Sequence, residues 1–143
     1  MHRIASVGLF SGLIATLVVV GCSSTNDGYS SVNQQPVEFA DADAQVAYGV
    51  EVYTNSCAKC HGASGEGIDD APRLVGGDAF ADYHTAMDVA VFATQNMPPK
   101  KSARALMAER DYWAVLAFAL SANGVELSEP VGPHNASDIV LNP

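Results

Sequence analysis

The densest cluster of reactive side chains in this 143-residue chain is Cys57-Ala58-Lys59-Cys60-His61. At the chain's own composition a C-x-x-C-H string arises by chance about once or twice in a thousand such sequences, so the pattern carries information. It is the haem-attachment spacing. On a helical turn, positions i, i+3 and i+4 share a face, so both thiols can reach the two vinyl groups of one haem while His61 is brought beneath its iron. Three other chemistries use similar residues. A redox dithiol wants a βαβ context, and the flanking sequence is helical. Zinc wants further Cys or paired His, whereas His84 and His134 are isolated. A Cys57–Cys60 disulfide suits an exported protein but gives His61 no task.

Iron bound by His61 needs a second axial ligand, and Met87, Met97, Met107, His84 and His134 are the candidates. Met97 precedes Pro98 and Pro99, and a proline holds the residue before it extended, as a loop crossing the far haem face requires. Met87 and Met107 fall in predicted helices, where packing explains them. His/Met ligation raises the reduction potential relative to two histidines. With both axial positions filled, the expected chemistry is one-electron transfer with no small-molecule substrate.

These residues need helices to position them. The first is expected from Asp41 or Asp43, either of which can cap it, through Ala47, Val50 and Tyr53. A second is expected after Asp78 or Asp82, with Tyr83, Met87, Ala90 and Val91 on one face. The third runs between Met107 and Ala122, with Tyr112, Val115, Leu116, Ala119 and Leu120 as its stripe and Gly124 closing it. Little alternates with period two, so the expected class is all-α. A domain of about 100 residues has little core for its size, and a buried cofactor would supply apolar surface.

At the other end, residues 4–26 carry no Asp, Glu, Lys or Arg, and Arg3 precedes a mostly apolar run from Ile4 to Val20. That is the order of an export signal, although the run also approaches the ~20 residues of a membrane span. Its ending, Val19-Val20-Gly21-Cys22, resembles the lipobox of bacterial lipoproteins. The resemblance implies cleavage after residue 21, lipid on Cys22 and a periplasmic, membrane-anchored protein. Ser23, where lipoproteins of the inner membrane often carry Asp, leans towards the outer membrane. Residues 22–40 are rich in Ser, Asn, Gln and Gly and read as a flexible tether of roughly 25 Å reach. The domain then spans 41–143, with a tail from 125.

The domain resembles the class I c-type cytochromes over Asp41 to Val125. The resemblance rests on Gly49 and Tyr53, Cys57-x-x-Cys60-His61-Gly62, Pro72-Arg73-Leu74, Asn96-Met97-Pro98-Pro99 and the aromatic helix from Tyr112 to Leu120. It implies three to four helices around one covalent haem c held by Cys57 and Cys60, with His61 and Met97 on the iron. Gly49 would lie where the first helix crosses the last, near Phe118, and the Pro72 carbonyl would orient His61. Tyr53, Leu74, Trp113 and Phe118 are expected to pack around the haem.

Charge completes the reading. The chain has 7 Lys+Arg against 16 Asp+Glu, a formal charge of −9, which argues against nucleic-acid binding. Lys59, Lys100, Lys101 and Arg104 nevertheless flank the expected ligands and suggest a basic docking rim on an acidic body. The partners implied are redox proteins: an oxidase, a reductase or a photosynthetic reaction centre. A dedicated subunit of a periplasmic dehydrogenase is the alternative, because Ser121-Ala122-Asn123-Gly124-Val125 and the Pro-bearing tail resemble cytochromes that serve quinone-dependent dehydrogenases. A five-coordinate haem enzyme or sensor would require Met97 to be off the iron.

Overall fold

The computed structural model describes residues 38–142. The expected leader, Cys22 and the tether up to residue 37 lie outside the described residues. The described chain forms α1 (Ala42–Ser56), α2 (Ala58–His61), α3 (Ala86–Asn96), α4 (Lys101–Arg104) and α5 (Glu109–Ala122). The only β pairing among the described residues is a bridge between Thr85 and Val140. The fold is therefore all-α. Two of its five helices are single turns. No helix among the described residues is long and apolar enough to cross a membrane.

α1 starts where a carboxylate caps it: the Ala44 N–H donates to Asp41 at 2.8 Å. Asp43 lies in the first turn, where its charge suits the helix dipole. α1 packs on α5, and their approach depends on Gly49. A Cβ there would run into the Ala114 carbonyl oxygen and come within 3.1 Å of the Phe118 Cβ. Beside this crossing, the rings of Tyr53 and Phe118 meet with centroids 4.9 Å apart.

α5 ends in a Schellman motif. Gly124 takes φ +83°, its N–H donates to Ser121, and the Val125 N–H donates to Leu120 at 3.0 Å. α3 starts later than its spacing predicted, at Ala86. Thr85 is the reason: its hydroxyl accepts from the Asp88 N–H while the Asp88 carboxylate accepts from the Thr85 N–H, a reciprocal capping box that fixes the first turn. Tyr83 thus precedes the helix and packs edge-on against Phe92 instead of lying on a helical face. α5 also begins later, at Glu109 rather than Met107, because Asp111 accepts from the Ala108 N–H and sets the start there.

Ala86, Ala90, Trp113, Leu116, Ala117, Leu120, Val131 and Ala136 make the main core. Half of them are alanine, which lets α3 and α5 approach closely while burying little area per residue. Met87 packs against this cluster, as expected for a helical methionine. The tail from Val125 returns over the bundle. Gln45, fully buried, clamps it by donating to the Val131 carbonyl at 2.8 Å and accepting from the Val131 N–H at 2.7 Å. Further along, Ile139 and Ala136 accept from the first amides of α3, and Asn142 donates to the carbonyls of Phe80 and Tyr83.

Candidate haem cleft

Cys57 ends α1 and starts α2, so the attachment motif is one continuous turn. Its N–H donates to Tyr53, and the Cys57 carbonyl accepts from Cys60 at 3.1 Å and from His61 at 3.0 Å. The turn closes at Gly62, whose φ of +87° is a backbone conformation that side-chain-bearing residues rarely adopt. The Tyr53 hydroxyl donates to the Gly62 carbonyl and pins the turn against α1. This geometry presents Cys57, Cys60 and His61 to one cleft of about 680 Å³.

His61 is buried, and its Nδ1 lies 2.7 Å from the Pro72 carbonyl. A carbonyl can only accept, so Nδ1 carries the proton and Nε2 is left as the ligating nitrogen. Burial, with the neighbouring Cys60 second, pushes the Cys57 thiol up to about 11. An attacking dithiol needs the opposite shift. No group of three or more His, Cys, Asp or Glu among the described residues could hold a metal ion.

Opposing walls of the cleft come from the rest of the fold. α5 contributes Tyr112, Val115, Leu116 and Ala119, one face at helical spacing. Leu74, Phe80 and Val89 add apolar surface. Asn123 braces the Leu74 segment: its amide donates to the Leu74 carbonyl at 2.8 Å and accepts from the Gly76 N–H at 2.7 Å. Met97 also lines the cleft. It caps α3 in the extended conformation anticipated before a proline, φ −116° and ψ 140°, and its carbonyl accepts from the Tyr112 hydroxyl at 2.8 Å.

Other expected residues lie elsewhere in the structure. Tyr53, Trp113 and Phe118 do not line the cleft. Trp113 is one position from the cleft face of α5, so the 100° step of the helix turns it into the main core. Tyr53 and Phe118 pack on each other at the α1–α5 crossing. Met107 does line the cleft, because it precedes α5 instead of lying inside it. His84 and His134 are both exposed and away from the cleft. Lys59, Lys100 and Lys101 are exposed, but Arg104 is drawn inward to main-chain carbonyls, and Arg73, Asp78 and Asp82 reach the cleft from the other segment. Gln45, which holds the tail, had no sequence signal beyond being a polar residue at a helix position, and Asn123, which braces the cleft wall, stood out only as part of the 121–125 string.

The donor set suits haem c. A cleft of this volume lies in the roughly 300–1,000 Å³ range of cofactor sites. Its walls are largely apolar, and it gathers two thiols one turn apart, an imidazole of fixed tautomer and thioether sulfur.

Comparison with known proteins agrees. Residues 44–118 match the family model for cytochrome c oxidase, cbb3-type, subunit III. A thiosulfate dehydrogenase of Stutzerimonas stutzeri is 28% identical, covering 82% of this chain and 38% of its own. The cbb3-type cytochrome c oxidase subunit CcoP of Rubrivivax gelatinosus is 31% identical, covering 75% and 34%. The chain thus spans just over a third of the length of these relatives. Among solved structures, the sulfane dehydrogenase SoxCD from Paracoccus pantotrophus superposes with a TM-score of 0.54 at 25% identity, covering 82% of this chain and 68% of that one. The chain belongs to the cytochrome c oxidase, cbb3-type, subunit III family: it carries a c-type cytochrome domain, which binds haem c covalently.

Proposed function

We propose that the protein is a lipid-anchored periplasmic cytochrome in which Cys57 and Cys60 form the thioethers, His61 and Met97 ligate the iron, and single electrons pass between redox proteins. The observation that carries this reading is the convergence of all four side chains on one cleft. Bound haem supplies the one-electron ferric/ferrous couple. The chain's own residues do the rest. Pro72 orients His61, the apolar walls exclude water, and the Met97 segment is held from α4 and α5.

Met107 is the competitor on the same cleft. Met97 is favoured because its backbone is held on both sides, its N–H donating to Ala93 and its carbonyl accepting from Tyr112. The test is the oxidised-state absorption band of thioether on ferric iron, which Met97→Ala abolishes and Met107→Ala retains. The reverse result refutes the assignment. Carbon monoxide binding to the reduced protein at neutral pH would instead support a five-coordinate enzyme or sensor.

Cys22 carries the proposed lipid. Radioactive fatty acid should label the wild type and not Cys22→Ala, and fractionation of labelled cells separates outer from inner membrane. The docking rim reduces to Lys59, Lys100 and Lys101 beside the acidic body. Electron transfer to small anionic and cationic oxidants should then show opposite salt dependence. Two of the similar proteins are named dehydrogenases, which favours a second reading, a cytochrome subunit receiving electrons from a dehydrogenase. Co-purification with a large subunit from native membranes supports it, whereas isolation alone favours the free carrier.

A further inference from the structure

Residues 96–99 leave α3 with two successive prolines, neither of which has an N–H, and none of their four carbonyls accepts from a backbone amide. Side chains hold the carbonyls instead. Arg104 Nη1 lies 3.3 Å from the Asn96 carbonyl, 2.8 Å from that of Pro98 and 3.0 Å from that of Pro99. The Tyr112 hydroxyl takes the remaining one, Met97, at 2.8 Å. α4 makes this possible: the Ala103 and Arg104 amides both donate to the Lys100 carbonyl, turning the chain so that Arg104 faces back onto the prolines. The described residues offer Arg104 no carboxylate within ion-pair distance. Its charge therefore faces main-chain oxygens, and charge-assisted bonds of this kind are the strong ones.

We propose that Arg104 and Tyr112 form a latch that keeps Met97 on the iron, Arg104 being a positioning residue that never touches the cofactor. The proposal rests on Met97 being the axial ligand. Releasing the latch leaves the bond to iron unchanged and raises the population in which the 96–99 segment has swung off. An added ligand binds only that population, so its apparent affinity rises in proportion.

The test titrates the oxidised holoprotein with imidazole and follows loss of the thioether–ferric absorption band. Arg104→Gln should bind imidazole at least roughly tenfold more tightly than wild type, with Arg104→Lys between the two and Tyr112→Phe tighter by a smaller factor. Gln45→Leu, whose native side chain bonds Val131 and not this segment, should lower the urea midpoint without changing imidazole affinity. Wild-type imidazole affinity in Arg104→Gln overturns the latch. So does an affinity change in Gln45→Leu matching that of Arg104→Gln, which would make the role merely structural. If Arg104→Gln does not fold, Arg104→Lys and Tyr112→Phe decide, and wild-type affinity in both overturns it. Persistence of the band in Met97→Ala refutes the ligand assignment itself, whereas its loss there with an unchanged Arg104→Gln refutes the latch alone.

Discussion

Replacing Gln45 by leucine should cost far more than its place in a helix suggests. Its amide makes two bonds to the backbone of Val131, at 2.8 and 2.7 Å, and both residues are fully buried. Leucine fills the volume but leaves the Val131 N–H and C=O unpaired, at about 1–3 kcal/mol each. Part of that is offset by added apolar burial, so the expected loss is about 2–4 kcal/mol. In urea this is a fall in midpoint of roughly 1–2 M at unchanged slope, read by circular dichroism on the holoprotein. Gln45→Glu sharpens the test. A carboxylate still accepts from Val131 N–H but opposes its carbonyl oxygen, so burial raises the glutamate's folded pKa above its ordinary value of about 4.3. The protonated acid can donate as the amide does. Its stabilising contribution is fully present below about pH 4.3 and lost as pH rises through the folded value. Gln45→Glu should therefore approach wild type in mild acid and Gln45→Leu at neutral pH. A Gln45→Leu protein within about 0.5 kcal/mol of wild type, or a pH-independent Gln45→Glu deficit, refutes the reasoning.

Gly49→Ala should destabilise by about 1–3 kcal/mol in denaturant titration despite the ~1 kcal/mol that alanine gains in helix propensity, because the Cβ meets the rigid Ala114 carbonyl. Asn123→Ala frees the Leu74 carbonyl and the Gly76 amide, and hydrogen exchange at Gly76 should quicken by roughly tenfold or more. Asp88 is held below its ordinary 3.8 first by the Thr85 N–H and then by the Thr85 hydroxyl. A depressed carboxylate stabilises above the unfolded value and stops doing so as pH falls through the folded one, so wild type should lose this contribution below about pH 3.8. Asp88→Asn should show a flatter acid limb in unfolding titrations.

The attachment motif, the all-α class and the long helices were legible in the chain, because each is written in local spacing. Cys57, Cys60 and His61 share a face on any helical turn, Asp41 stands where a cap belongs, and Gly124 ends α5 as a left-handed residue must. Helix starts were less legible. Thr85 with Asp88, and Asp111 on Ala108, set them through short side-chain bonds that compete with apolar periodicity.

What the sequence by itself determined, then, is the chemistry: two thiols, an imidazole and a methionine before prolines, carried on helices. Tertiary structure alone decided which surface each side chain meets. Trp113 goes to the core and Tyr112 to the cleft through one 100° step whose outcome depends on what packs against α5. Arg104 reads as a surface charge in sequence and is a main-chain anchor in space, because the α4 turn sends it back onto carbonyls that prolines leave unpartnered. Gln45 meets Val131 across 86 residues. No local pattern encodes such a pairing, since a buried polar group needs a hydrogen-bond partner and for Gln45 that partner comes from distant chain.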